Sequence, residues 1–180
     1  MKYHDIEKCS LVNGSGIRVV LWVSGCEHHC KGCQNPVTWD PDDGLEFDVH
    51  ALHEITERMD RDYCDGITLS GGDPMYPDNR KTILYLVQFL RNRYGDTKTI
   101  WMYTGYTMPE IADSPILDYV DVVVDGPFVE EKADVNYMWA GSTNQKIWRK
   151  VDGQWVADSP MYANKEVQVG DNKNQVSCGC

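Results

Sequence analysis

The sequence contains no apolar run long enough to span a membrane, and its first ten residues lack the apolar core of a secretory signal. Basic residues are also scarce, with 17 Lys and Arg against 28 Asp and Glu and a formal net charge of -11. The Lys and Arg form no stripe or patch of the kind that marks nucleic-acid-binding proteins. These absences predict a soluble cytoplasmic protein with neither a membrane nor a nucleic acid as its partner.

The sequence also lacks an even set of cysteines, internal repeats and long low-complexity segments. Its seven cysteines, an odd number without a signal peptide, argue against a disulfide framework. Clustered thiols in a reducing compartment more often bind metal or perform chemistry. The length of 180 residues suits a single domain, and it is short for a complete eight-stranded α/β barrel of about 250 residues.

Four apolar, β-branched runs predict strands, and helical spacing of apolar residues between them predicts helices. The predicted strands are Ile17–Val23, Gly66–Ser70, Lys98–Tyr103 and Tyr119–Val124, and the predicted helices are Asp48–Met59, Arg80–Tyr94 (with Asp78 as its cap) and Pro109–Asp113. This alternation indicates an α/β fold with a parallel sheet, in which functional residues gather at the carboxyl ends of the strands.

The C-terminal part of the chain follows a different pattern. Residues 146–157 predict a β-hairpin with Asp152 and Gly153 at its tip. Residues 159–180 form a polar, weakly patterned tail. The predicted organisation is therefore one domain over residues 1–158, followed by a tail that contains Cys178 and Cys180, for which the sequence suggests no role.

A loop with three cysteines follows the first predicted strand. Cys26, Cys30 and Cys33 have the spacing C-x3-C-x2-C. Iron–sulfur clusters are bound by cysteine thiolates, and three thiolates can bind three irons of a cubane while the fourth iron takes another ligand. The alternatives are a zinc knuckle completed by His28 or His29, and a structural loop with incidental thiols. The core strand before the loop favours the cluster, because structural zinc more often stabilises chains without a core.

This spacing after a strand resembles that of radical S-adenosylmethionine (SAM) enzymes. The fuller string SGCEHHCKGCQN over residues 24–35 resembles the activating proteins of anaerobic ribonucleotide reductase in particular. The likeness continues in order through NGSGIR at 13–18, SGGDP at 70–74, YTGY at 103–106, VDVVVDG at 120–126 and GSTNQ at 141–145. It covers about the first four-fifths of the chain.

The resemblance implies a shortened, open partial barrel of βα units of the radical SAM type. It also implies that Cys26, Cys30 and Cys33 bind a [4Fe-4S] cluster whose fourth iron is chelated by SAM. In that family a reduced cluster cleaves SAM to a 5′-deoxyadenosyl radical, which generates a glycyl radical on the large subunit of anaerobic ribonucleotide reductase. An electron donor such as flavodoxin would supply the electron.

The remaining strand-end motifs supply candidate SAM contacts. The resemblance assigns Gly71, Gly72 and Asp73 to SAM binding, and glycine lets a backbone approach a ligand closely. Thr104, Asp125 and Asn35 are further candidates for contacts to SAM or the cluster. The alternative is that these residues form tight turns and loop hydrogen bonds.

Two other functions remain open from the sequence. One is an activase for another glycyl radical enzyme, of the pyruvate formate-lyase type. The other is a non-catalytic, zinc-binding interaction module. Cluster chemistry and metal content would separate these hypotheses.

Overall fold

The structure, a computed structural model, describes residues 1–163, which form a mixed eight-stranded sheet with three α-helices. The strands are β1 (Lys2–Ser10), β2 (Arg18–Val23), β3 (Leu45–Glu46), β4 (Gly66–Gly71), β5 (Thr99–Tyr103), β6 (Val122–Asp125), β7 (Lys146–Val151) and β8 (Gln154–Ala157). The helices are α1 (Val49–Met59), α2 (Arg80–Tyr94) and α3 (Met108–Ile111).

The strand order is β3-β1-β2-β4-β5-β6-β7-β8, and the four central strands β2, β4, β5 and β6 run parallel. The central strands are apolar on both faces, which is the pattern of a parallel sheet covered on both sides. The register pairs Val23 with Gly71, and Tyr103 with Val124. Consequently the segments that follow β2, β4, β5 and β6 all leave from one edge of the sheet.

Two helices contribute most of the helical part of the core. Helix α1 is capped by Asp48, whose side chain accepts hydrogen bonds from the backbone N–H groups of His50 and Ala51. Helix α2 buries an apolar stripe that includes Ile83 and Leu90. Both helices thereby fix the loops before and after them against the sheet.

The structure confirms the α/β class, and it contains the predicted hairpin with Asp152 and Gly153 between β7 and β8. The central strands and both long helices match their predicted positions to within a few residues. The strand predicted at 119–124 begins later, at Val122, because Tyr119 caps the short 3-10 helix Pro115–Asp118 and its N–H donates to Ile116 O. The predicted N-cap of α2 was wrong: Asn79 takes that position instead of Asp78.

The N-terminal strand β1 was not predicted from the sequence. It pairs antiparallel with β2, and its register shifts twice along its length. Those irregularities break the simple alternation of buried and exposed residues, since only Tyr3, Ile6 and Ser10 are buried. The signal that identifies a half-buried strand was therefore absent.

At the other end of the described range, residues 161–163 hydrogen-bond to the backbone of residues 136–138. Within residues 1–163, no helix has the length and apolar character needed to cross a bilayer. Cys178 and Cys180 lie outside the described residues, and the division at residue 158 stays a prediction.

Candidate functional site

Backbone hydrogen bonds hold the start of the cysteine loop to its surroundings. At its start, Gly25 N–H donates to Thr38 O at 2.8 Å and Cys26 N–H donates to Trp39 O at 3.1 Å. Its second half closes as a turn in which Cys33 N–H donates to Cys30 O at 3.1 Å. Gly32, at φ 72°, supplies the left-handed position of that turn. The local sequence therefore fixes how far apart Cys30 and Cys33 lie.

The three cysteines line one cavity of about 200 Å³ at the carboxyl edge of the parallel strands. Among the residues predicted to contact SAM, Gly71, Gly72, Thr104 and Asn35 line the same cavity. Each of the three cysteines is a free, partly buried thiol. The structure therefore brings together residues that lie as much as 78 positions apart in the chain (Cys26 and Thr104).

Glycine is required at positions 71 and 72 by the close approach of other backbone segments. A Cβ on Gly71 would lie 2.5 Å from the Val23 nitrogen, and Gly71 has a φ of 103°. A Cβ on Gly72 would lie 2.5 Å from the Gly25 oxygen and 2.7 Å from the Thr38 oxygen. The strand end that carries the two glycines thus packs directly against the start of the cysteine loop.

Asp73 and Asp125 occupy different positions from the other candidates. Asp73 is 1% exposed, and its carboxylate accepts hydrogen bonds from His28, Thr104, Gly105 and Met75. Asp125 is also buried, and its carboxylate accepts the Met108 and Lys146 N–H groups. Both carboxylates are occupied by protein donors in this structure, and their contact with SAM stays a prediction.

The two histidines of the loop point to different neighbours. His28 Nε2 lies 2.9 Å from Asp73 Oδ2, and this hydrogen bond is the largest cause of a raised pKa of His28. His29 has a φ of 45° and packs its ring edge-on against Trp39. From the sequence, either histidine could complete a zinc knuckle or be a polar loop residue.

Burial changes the acidity of one of the three thiols. Desolvation raises the pKa of Cys26 to about 11, while backbone N–H groups of His28 and His29 oppose that rise. A coordinating metal ion deprotonates a thiol outright, because its positive charge outweighs the cost of burying the thiolate. Loading of a metal at Cys26 would therefore release a proton.

The residues present fit an iron–sulfur cubane. In residues 1–163, no group of three His, Cys, Asp or Glu side chains is arranged to hold a single metal ion. A cubane is bound differently, since each thiolate contacts its own iron and the thiols need only face a common space. Three free thiols around one cavity, beside a glycine backbone, provide that arrangement.

Sequence reasoning assigned no SAM or cluster contact to several residues of the cavity wall. They are Asn13, Trp22, His28, Gln34, Ser70, Tyr103, Gly105, Gly126, Phe128, Gly141 and Gln145. Ser70 and Tyr103 could have been found, because each ends a predicted parallel strand. Gln145 stands in the GSTNQ motif, but the motif did not reveal its role: its side chain accepts from Gly141 N–H and donates to Gly126 O, contacts that depend on the tertiary fold.

Comparison with known proteins agrees with an iron–sulfur site. The model of a family described as "4Fe-4S single cluster domain" matches residues 12–148. A protein of Enterobacteria phage T4, named "Anaerobic ribonucleoside-triphosphate reductase-activating protein", is 42% identical over 158 residues, which cover 88% of this chain and 100% of the relative. Proteins of the same name from Vibrio cholerae (43%, 83% of this chain and 98% of the relative) and Escherichia coli K12 (40%, 82% and 97%) are also similar.

Proposed function

Because the chain belongs to the family of anaerobic ribonucleoside-triphosphate reductase-activating proteins, we propose that it generates a glycyl radical on an anaerobic ribonucleotide reductase by radical SAM chemistry. The chain is an activating enzyme with a 4Fe-4S domain, and its substrate is the large subunit of the reductase. The observation that carries the proposal is the common cavity of Cys26, Cys30 and Cys33 with the glycines at the end of β4.

In this proposal Cys26, Cys30 and Cys33 would hold the cluster through three of its irons, which would leave the fourth iron available to SAM. When bound, the reduced cluster would supply one electron for the cleavage of SAM, which would release methionine and leave an adenosyl fragment able to take a hydrogen atom from a glycine of the reductase. The protein itself binds and orients SAM and excludes water from the site. The backbone of Gly71 and Gly72 offers carbonyl groups to the ammonium of SAM.

Polar and aromatic side chains line the rest of the cavity. Asn35 lines the cavity, and we propose that its side chain hydrogen-bonds the bound cofactor. Thr104 lines the cavity as well, but its hydroxyl donates to Asp73, so its contact with SAM stays a prediction. Trp22, Tyr103 and Phe128 provide apolar wall surface. Such surface keeps water from a reactive intermediate and strengthens the electrostatic contacts inside the cavity.

We also propose the finer architecture of an open partial barrel. Four parallel strands carry the site, and antiparallel strands flank them on both sides. A site at the edge of an open sheet suits a substrate that is a residue of another macromolecule, because that residue must reach the cavity from outside. A flavodoxin-type protein remains our proposed electron donor, and the cytoplasm the predicted location.

The test is anaerobic reconstitution with iron and sulfide, followed by electron paramagnetic resonance (EPR) of the dithionite-reduced protein with and without SAM. We expect a [4Fe-4S] signal that SAM perturbs, and a glycyl radical when the reductase is added. Alanine at Cys26, Cys30 or Cys33 should abolish both, whereas alanine at Cys9, an exposed cysteine on β1, should change neither.

Two outcomes would overturn the proposal. Tightly bound zinc with no cluster would make the cysteine loop structural. A competent cluster that activates pyruvate formate-lyase but leaves the reductase without a radical would assign the chain to a different substrate.

A further inference from the structure

The buried carboxylate of Asp73 joins three segments of the site. Its Oδ1 accepts the Met75 N–H at 2.8 Å and the Thr104 hydroxyl at 2.9 Å. Its Oδ2 lies 2.9 Å from His28 Nε2 and accepts the Gly105 N–H at 2.9 Å. Four donors saturate a carboxylate that is 1% exposed, so the group acts within the protein rather than toward a ligand.

These donors come from opposite sides of the site. His28 lies between Cys26 and Cys30 in the cysteine loop. Thr104 and Gly105 follow β5 and line the cavity wall. The bond between His28 and Asp73 is therefore a buried side-chain link between the segment that carries the thiols and the wall that receives the cofactor, beside the more exposed bond from the Tyr106 hydroxyl to Glu27.

The imidazole of His28 is closely packed against Gly105 and Tyr106. A Cβ on Gly105 would lie 2.3 Å from the Cδ2 atom of His28, so any larger residue at 105 would displace the ring. On another side, the ring of Tyr106 packs edge-on against the imidazole with centroids 4.6 Å apart. The side chain of His28 is 19% exposed. This fit fixes the ring and leaves Nε2 directed at Asp73.

We propose that His28 and Asp73 are positioning residues that hold the cysteine loop at a set distance from the Thr104 wall. The pair keeps the cluster and SAM in register without contacting SAM. The identity of the two ligands rests on the proposed function, whereas the coupling of loop and wall does not. Loss of the pair should weaken SAM binding and loosen the loop even in the metal-free protein.

The experiment compares four variants with the wild-type protein. His28→Leu removes the link, and His28→Gln retains an amide donor at a similar reach. Gly105→Ala displaces the ring without changing either partner. His53→Leu, at an exposed position on α1, is the matched control for replacing a histidine by leucine.

Two readouts are measured after each variant is shown to fold by circular dichroism. The first is the rate at which iodoacetamide alkylates Cys26 and Cys30 in the metal-free protein, followed by mass spectrometry. The second is the SAM dissociation constant of the reconstituted protein, from the titration of its EPR signal. We expect His28→Leu and Gly105→Ala to raise alkylation several-fold and to weaken SAM binding about tenfold, the effect of losing one hydrogen bond to a charged group. His28→Gln and His53→Leu should stay within about twofold of wild type.

The inference is wrong if His28→Leu lowers thermal stability but leaves both readouts at wild-type values, because the pair would then be merely structural. It is also wrong if His28→Gln behaves like His28→Leu. If His28→Leu does not fold, Gly105→Ala decides the same question. A wild-type protein that binds no cluster would overturn the proposed function instead, and the alkylation readout would still test the coupling.

Discussion

Replacement of Gly72 by alanine should displace the start of the cysteine loop, because the backbone of Gly72 packs against that of Gly25. The new Cβ would lie 2.5 Å from the Gly25 oxygen and 2.7 Å from the Thr38 oxygen, and ordinary contact begins at 3.4 Å. One segment must therefore move by about 0.9 Å. Both neighbours are backbone atoms, so no side-chain rotation can relieve the contact.

The structure sets the size of the expected effect. Overpacking of a well-packed site costs about 1–3 kcal/mol. The shift also strains the bonds from Gly25 N–H to Thr38 O and from Asp73 N–H to Gly25 O, both 2.8 Å long, and weakening one adds about 1 kcal/mol. A total of about 2–4 kcal/mol corresponds to a fall in Tm of roughly 4–16 °C for a chain of this length.

The assay pairs thermal unfolding with the iron content of the reconstituted protein and its EPR response to SAM. Gly95→Ala is the control, because Gly95 has a positive φ of 55° but a Cβ added there would meet no atom within 4 Å. It should cost about 1–3 kcal/mol from backbone strain and leave cluster loading unchanged. If Gly72→Ala matches Gly95→Ala in both stability and cluster loading, the contact between strand end and loop does not have the proposed importance.

Three further predictions follow from burial and capping. Leu69→Ala, at a fully buried position in β4, should lower the free energy of unfolding by about 3–5 kcal/mol in urea denaturation; a loss below about 1 kcal/mol would contradict the packing. With the pKa of Cys26 near 11, its alkylation in the metal-free protein should rise about tenfold per pH unit between pH 8 and 10. Because the Cys26 thiol of the folded protein keeps a proton that the unfolded chain releases, the free energy of unfolding should fall as pH rises from about 9 through 11. An alkylation rate that levels off near pH 9 would refute the raised pKa of Cys26. Asp48→Ala should destabilise α1 by about 1 kcal/mol through loss of its cap, and unchanged urea unfolding would contradict that role.

Much of the fold could be predicted because its signals are local. The apolar run of β2 and the spacing of apolar residues in α2 identify a strand and a helix from short windows. Asp152 and Gly153 predict the hairpin because both adopt positive φ at its tip. Strand β1 gave no such signal, since its pairing with β2 is irregular and is decided by the partner strand.

The candidate site, like the fold, has parts that local sequence signals predict and parts that depend on tertiary contacts. The spacing of Cys26, Cys30 and Cys33 places three thiols on one short loop, and Gly71 and Gly72 follow directly from a predicted strand. These features are encoded within a few residues, so the sequence, through the family resemblance that they carry, predicted the type of cofactor and one side of its site.

Only the tertiary structure decided what the buried polar groups do. Asp73 stands in a glycine-rich motif that suggested a ligand contact, yet its carboxylate bonds to His28, 45 residues earlier, and to Thr104, 31 residues later. Gln145 likewise reaches Gly126 from a separate loop. Such contacts depend on how the strands align in the sheet, and no short stretch of sequence contains that information. The cysteine spacing thus determined the chemistry, whereas the alignment of the parallel strands determined which side chains hold it in place.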